Sequence, residues 1–254
     1  MKFTILSLFP DLVHSYFACS IAARGVEKGL LAYEAVDIRS FAHDVHRSCD
    51  DSPYGGGAGM VMKPDVVAEA LHSVRGVGRR VIYPSPSGNP LSSAIMAELA
   101  EEHELLFVCG RYEGIDQRVL DRYVTDEISI GDYVIASGEL AAMVIIDGVM
   151  RRIPGVISGE SLQQESFERG LLEYPHYTRP EEWDGVRVPE VLLSGHHAKI
   201  EEWRFRKSVE KTFRVRPELL ERGRLEAAGL SAKDRQTIMK ILDSGGRDGL
   251  GKDG

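Results

Sequence analysis

Four stretches combine glycine with polar side chains in a way that could hold a ligand. They are Tyr83–Gly88 (YPSPSG), Cys109–Asp116 (CGRYEGID), Ser129–Leu140 (SIGDYVIASGEL) and Asp50–Met60 (DDSPYGGGAGM). Each puts glycine where a strand should end, and open α/β sheets bind ligands beyond the carboxyl ends of their strands. None fits G-x-G-x-x-G after a strand and none is a P-loop, so a dinucleotide or nucleoside triphosphate would lack its phosphate cradle. What remains is backbone that can approach a neutral or zwitterionic ligand closely. Taken singly, each loop is more often turn chemistry than a ligand site.

A second kind of chemistry is suggested by Arg204, Arg206, Lys207, Lys211, Arg214 and Arg216, which face only Glu210 within their own stretch. That block of net +5 is the candidate for phosphate contacts, with a solvated helix face as the equal alternative on charge alone. His43 and His46 in H-D-x-H, with His176, His196 and His197 elsewhere, invite a metal reading, but no third ligand shares their spacing, and no metal ligand is assigned. Cys19, Cys49 and Cys109 are far apart and lack C-x-x-C spacing, which points away from a disulfide framework or zinc ribbon and toward a reducing compartment.

The elements that must position these loops follow from periodicity. Short apolar runs at Lys2–Phe9, Leu31–Ile38, Arg80–Tyr83, Leu105–Cys109 and Glu127–Ile130 read as strands. Helical patterns fall between them: Pro10 to about Ala23, Pro64 to Val74, a helix started by Asn89-Pro90 and running to Glu101, Asp116 to Tyr123, and Gly138 to Val149. The alternation predicts an α/β domain with a largely parallel sheet. Beyond Pro154 the pattern fades into Gly, Ser, Gln and Glu, as in a linker, and helical periodicity resumes at Lys199–Phe213, after Pro217 and after Ser231. The expected organisation is a domain over residues 1–157, a flexible linker over 158–172, a mainly helical domain over 173–243 and a disordered Gly-rich tail over 244–254.

With 254 residues, 43% of them hydrophobic, the chain can build a real core. The net charge of −8 excludes a uniform positive coat for nucleic acid, and it is unevenly shared: residues 1–157 carry net −7 and residues 158–254 net −1. Any nucleic-acid surface must be local. The N-terminal apolar stretch stops at Pro10-Asp11 and no run approaches spanning length, so a soluble, cytoplasmic protein without a membrane partner is expected.

Together the strings are more specific than any one of them. At CGRYEGID, SIGDYV and SGEL, PYGGGxGM, PHYTRP and VLLSGxH, from Phe9 to about Leu220, the sequence resembles the bacterial tRNA (guanine-N1)-methyltransferase family, TrmD, of the SPOUT class. The resemblance implies an α/β SPOUT-type parallel-sheet domain with a deep trefoil knot and a small, mainly helical C-terminal domain that binds tRNA. It implies transfer of a methyl group from S-adenosylmethionine to N1 of the guanine immediately 3′ of the tRNA anticodon, which maintains the reading frame. It also implies a homodimer whose active site lies at the subunit interface, and magnesium in turnover without a dedicated protein cage. Another SPOUT RNA methyltransferase, or a catalytically silent tRNA-binding module, is the alternative.

Carried over by motif, the cofactor loops fall on Tyr83, Pro84, Ser85 and Pro86, on Gly110, Tyr112 and Glu113, and on Ile130, Gly131, Tyr133, Ile135 and Gly138. N1 of neutral guanine bears a proton, so the reaction needs a general base and a cation for the charge growing on O6. Lining up F-x-x-G-L-L and PHYTRP puts Glu165 at the position of the family's catalytic Asp, and the cation falls on Arg151. Substrate contacts are expected from Asp50, Gly55, Gly56, Gly57, Ser166, Arg204 and Arg214.

Overall fold

A computed structural model describes residues 1–74, 79–158, 166–167, 170–228 and 230–245. The chain divides into two compact units, Met1–Gly159 and Glu160–Gly254. In the first, a sheet is built from β1 (Lys2–Ser7), β2 (Ala32–Asp37), β5 (Val81–Pro90), β6 (Glu104–Val108) and β7 (Asp126–Ser129), in the order β2-β1-β6-β5-β7. All four neighbouring pairs are parallel. The alternation of the strands explains both faces. Phe3, Ile5, Leu105 and Phe107 point to one side, where α1 (Pro10–Phe17), α2 (Ser20–Glu27), α4 (Ser93–Ala100) and α6 (Gly138–Met150) contribute Phe17, Ala22, Leu99 and Ile145. Leu6, Leu106 and Val108 point to the other, against Val67 and Leu71 of α3 (Pro64–Ser73) and Val119 of α5 (Gln117–Tyr123). Such two-sided burial is what near-continuous apolar strands require.

Two expectations need correction. The single helix expected from Pro10 to Ala23 is two helices, broken at Ala18 and Cys19, with Ser20 at φ 54°. Each short helix buries its own pair of residues, Val13 with Phe17 and Ala22 with Gly25, which one straight axis would not aim at the same core. Asn89-Pro90 does not start a helix. These residues continue β5 and pair with Ile128 and Ser129, and the helix begins three residues later, capped by Ser92, whose Oγ accepts from Ile95 N–H at 3.3 Å. Because Pro84 and Asn89 both oppose Ile128, the residues between them leave the ladder and return to it. The dipeptide is a good helix opener, but the β7 backbone offers it a partner first: Leu91 N–H donates to Ser129 O at 2.8 Å.

A small ribbon of β3 (Asp50–Asp51) and β4 (Val61–Met62) carries the Gly55–Gly59 loop at its tip. It docks on the segment after β6 through Met62 N–H to Gly114 O and Asp116 N–H to Met62 O.

The second unit contains a ribbon of β8 (Glu182–Trp183) and β9 (Val186–Arg187) and the helices α7 (Glu190–Leu193), α8 (His197–Val215), α9 (Arg222–Ala227) and α10 (Ala232–Gly245). Its core gathers Leu171, Val209, Leu225, Leu230 and Ile238. Two of the described residues before α7 are anchored within their own unit: Phe167 N–H donates to Leu171 O, and Leu172 N–H to the buried Thr212 Oγ1.

Candidate active site

Because the sheet is parallel, the excursion within β5 and the loops after β6 and β7 fall on one side, where they surround a cavity of about 330 Å³. Tyr83, Pro84, Ser85 and Pro86 form one wall, Gly110, Tyr112 and Glu113 a second, and Ile130, Gly131, Tyr133, Ile135 and Gly138 a third. Every residue matched to a cofactor loop therefore faces the same space.

The walls are held close by backbone. A Cβ on Gly138 would stand 2.8 Å from both N and O of Gly110, so glycine alone lets α6 begin against the β6 loop. Gly138 N–H donates to Gly110 O at 3.3 Å. Beneath them the buried Tyr83 ring lies against Gly110 and Gly114, and burial, reinforced by the Glu127 carboxylate, pushes its phenol above the ordinary value. The glycine loop meets the cavity at Glu113. Gly59 has φ +90°, and a Cβ there would overlap the Glu113 carboxyl group. Tyr112, at φ 58°, lies near the Asp50 carboxylate; burial and that negative charge raise its phenol as well. Asp50 is thus brought to the cavity's edge, while Gly55, Gly56 and Gly57 stay in the exposed tip.

A buried polar network braces the same walls, and the motif reading does not contain it. Glu139, fully buried in the first turn of α6, accepts from Ser7 Oγ at 2.7 Å, from Ser137 Oγ at 2.8 Å and from Arg111 Nε at 3.0 Å. Arg111 also donates to Ala136 O at 3.0 Å and lies 4.3 Å over the Phe9 ring. Ser7 ends β1 and accepts from Phe9 N–H at 2.8 Å. The sequence holds one clue to this: Arg111 and Glu139 both sit inside the glycine strings.

Arg151 caps α6, half-buried, with its N–H on Asp147 O at 3.3 Å, and it does not line the cavity. Glu165 lies outside the described residues. Ser166, Arg204 and Arg214 belong to the second unit. Ser166 Oγ accepts from Glu173 N–H at 3.0 Å. Arg204 donates to Glu201 at 2.8 Å with its guanidinium 5.0 Å over the Tyr174 ring. Much of the basic block is answered by carboxylates on its own unit: Arg206 and Lys207 share Glu210, and Arg216 pairs with Glu218. Burial would raise the Glu210 carboxyl, but Lys207 and Arg206 hold it below its ordinary value. Lys211 donates to Glu173 O at 3.0 Å, and Arg214 is exposed.

Among the described residues no three His, Cys, Asp or Glu side chains gather into a metal site, and His43 is paired with Glu69 at 2.8 Å. No described residue supports the expected magnesium. No described helix is long and apolar enough to cross a membrane.

Residues 1–222 match the family model of tRNA (Guanine-1)-methyltransferase TrmD. The chain belongs to the TrmD family. It is 55% identical over 244 residues to a tRNA (guanine-N(1)-)-methyltransferase of Treponema denticola, covering 96% of this chain and 100% of that one. It is 52% identical over 221 residues to the protein of the same name from Borreliella burgdorferi, covering 86% and 92%. A third, from Pelotomaculum thermopropionicum, is 49% identical over 250 residues, covering 96% and 97%. The TrmD match runs through all three cavity walls and ends near the start of α9, so it includes both the cavity and the long helix α8.

Proposed function

We propose that this chain methylates N1 of the tRNA guanine immediately 3′ of the anticodon, with S-adenosylmethionine as donor. The carrying observation is the convergence of all three cofactor loops on one cavity in a chain of the TrmD family. The cavity fits the donor: its size is that of a small-molecule site, and its lining sets apolar Pro84, Ile130 and Ile135 beside polar Ser85 and Glu113. When bound, S-adenosylmethionine supplies an electrophilic methyl group. The chain's own part is to bind and orient the donor between the β5 and β7 loops, with Glu113 available to the methionine amino group or the guanine. It must then take the N1 proton and answer the charge on O6. Glu165 is the proton acceptor in this reading, and Arg151 the cation, whose fork suits a carbonyl oxygen better than an ammonium would.

Arg151 lies outside its own chain's cavity, which supports a homodimer in which a second copy completes each site. The exposed Phe9, Leu12, Leu140 and Val144 suit such a contact. They lie on or beside α1 and α6, which are tied together by Tyr16 Oη donating to Asp147 at 2.8 Å. The excursion of β5 between Pro84 and Asn89 is compatible with the SPOUT knot. In this reading the unit after the linker binds tRNA, its substrate residues are Ser166, Arg204 and Arg214, those of the first unit are Asp50, Gly55, Gly56 and Gly57, and the reaction is cytoplasmic.

The test is transfer of labelled methyl from S-adenosylmethionine to an unmodified tRNA transcript with guanine beside the anticodon, against the same transcript with adenine there. Transfer to the first alone, released as 1-methylguanosine, is expected. A 2′-O-methyl nucleoside, or tRNA retention without transfer, overturns the reading. Within it, Glu165→Gln keeps donor binding and loses turnover, and near-normal single-turnover rates would remove Glu165 from the base role.

A further inference from the structure

We infer that Glu139 is a positioning residue for the methyl donor, acting through Arg111 to fix the spacing of two cavity walls; the inference rests on the cofactor reading of that cavity. Three separate stretches of chain end on this one carboxylate: the end of β1 through Ser7, the β6 loop through Arg111, and the start of α6 through Ser137. Each bond has good length, the acceptor is charged, and no water reaches it, which makes these the strong kind of hydrogen bond.

Arg111 converts the anchor into a spacer. Its Nε is held by Glu139 while its Nη1 holds Ala136 O, so one rigid guanidinium plane spans from the Gly110–Gly114 wall to the Ile130–Gly138 wall. The Phe9 ring beneath it fixes the plane. A lysine could make one of these contacts but could not hold both from a flat fork. The two walls so joined also approach at Gly138 and Gly110, where contact is too close for any side chain. The backbone contact sets the minimum separation of the walls and the ion pair prevents them from parting.

Glu139 touches neither the cavity nor anything in it: it is absent from the lining, whereas its partners Arg111 and Ser137 are present. Its effect should therefore fall on donor affinity rather than on tRNA binding.

The experiment compares Glu139→Gln, Arg111→Lys and Ser7→Ala with the wild-type chain. Calorimetry measures S-adenosylmethionine affinity, steady-state kinetics gives KM for donor and for tRNA separately, and thermal melting monitors the fold. Glu139→Gln keeps the shape but loses the charge and one acceptor, and should weaken donor binding about tenfold or more while KM for tRNA stays within about twofold. Arg111→Lys keeps the charge pair and should show the same donor-specific loss, which covers the case of a Gln variant that fails to fold. Ser7→Ala should show a smaller loss of the same kind. Variants that melt earlier yet bind the donor as tightly as wild type would make the network a structural brace only and overturn the inference. A wild-type chain that binds no donor would overturn the cofactor reading, and this inference with it.

Discussion

The two ends of the central sheet use the same ion-pair chemistry for different purposes. At the carboxyl ends, Arg111 and Glu139 join loops that enclose a cavity, and the carboxylate is fully buried with two serine hydroxyls as further donors. At the amino ends, Arg80 makes a two-pronged contact with Asp126 at 3.0 and 2.8 Å, joining the start of β5 to the start of β7. The Arg80 side chain is as shielded as that of Arg111, but its carboxylate partner is partly open to water where Glu139 is not, and Glu98 competes for the same guanidinium at 2.8 Å. Burial alone would raise the Asp126 carboxyl, but hydrogen bonds from Arg80 and Thr125 bring it below its ordinary value. One end has few charges, each with a defined set of partners. The other has a looser group in which arginine is shared among carboxylates. The lesson is that position on a parallel sheet decides what an ion pair does: beyond the carboxyl ends it shapes a ligand site, and before the amino ends it fastens strands.

The contrast can be broken most severely at Gly138. Gly138→Ala forces a Cβ into the Gly110 backbone, and donor affinity should fall by about two orders of magnitude in calorimetry, because an ångström of displacement at a site costs that much. A variant that binds normally would show that the walls are not in fixed contact. Next comes Arg80→Met, which should lower the melting temperature by a few degrees and leave donor affinity unchanged; a donor-specific loss would erase the distinction between the ends. The pH dependence has a definite sign. Because the folded Asp126 carboxyl lies below 3.8, its stabilisation is present above that value and lost as pH falls through the folded one. The difference in stability between wild type and Arg80→Met should therefore shrink in strong acid. The smallest effect belongs to Arg187→Ala in the β8–β9 ribbon, where the pair with Glu181 is exposed on both sides. Its removal should change stability by less than about 0.5 kcal/mol in denaturant melts, marking the limit that burial has to exceed before such a pair matters.

How far the sequence discloses this depends on the range of the interaction. The strands and their two buried faces are legible because alternation at Phe3, Ile5 and Leu6 is local. The cavity walls are legible as glycine strings. The extension of β5 through Asn89-Pro90 is not, since a dipeptide that opens helices carries no sign of the β7 edge waiting for it. Glu139 is not legible either. After a serine cap, a first-turn glutamate reads as an ordinary solvated helix opener, and what buries it comes from Ser7, far back in the chain. The pairing of the basic block is legible only in part: counted within its own stretch it faces only Glu210, but in the fold Glu201 and Glu218 also answer it.

The order of strands has a consequence for synthesis. β1 is an interior strand: Lys2 pairs with Ala32 on one edge and with Glu104 on the other. While the chain emerges from the ribosome, β2 arrives early, but the second edge of β1 stays open until the segment around Leu105 and Phe107 has been made. During that interval Phe3 and Ile5 lie on a strand with an unpaired, apolar border, the kind of surface that joins neighbouring nascent chains. The stretch of translation between β2 and β6 is where this protein is most exposed to misassembly, and where a holding chaperone would have the most to protect.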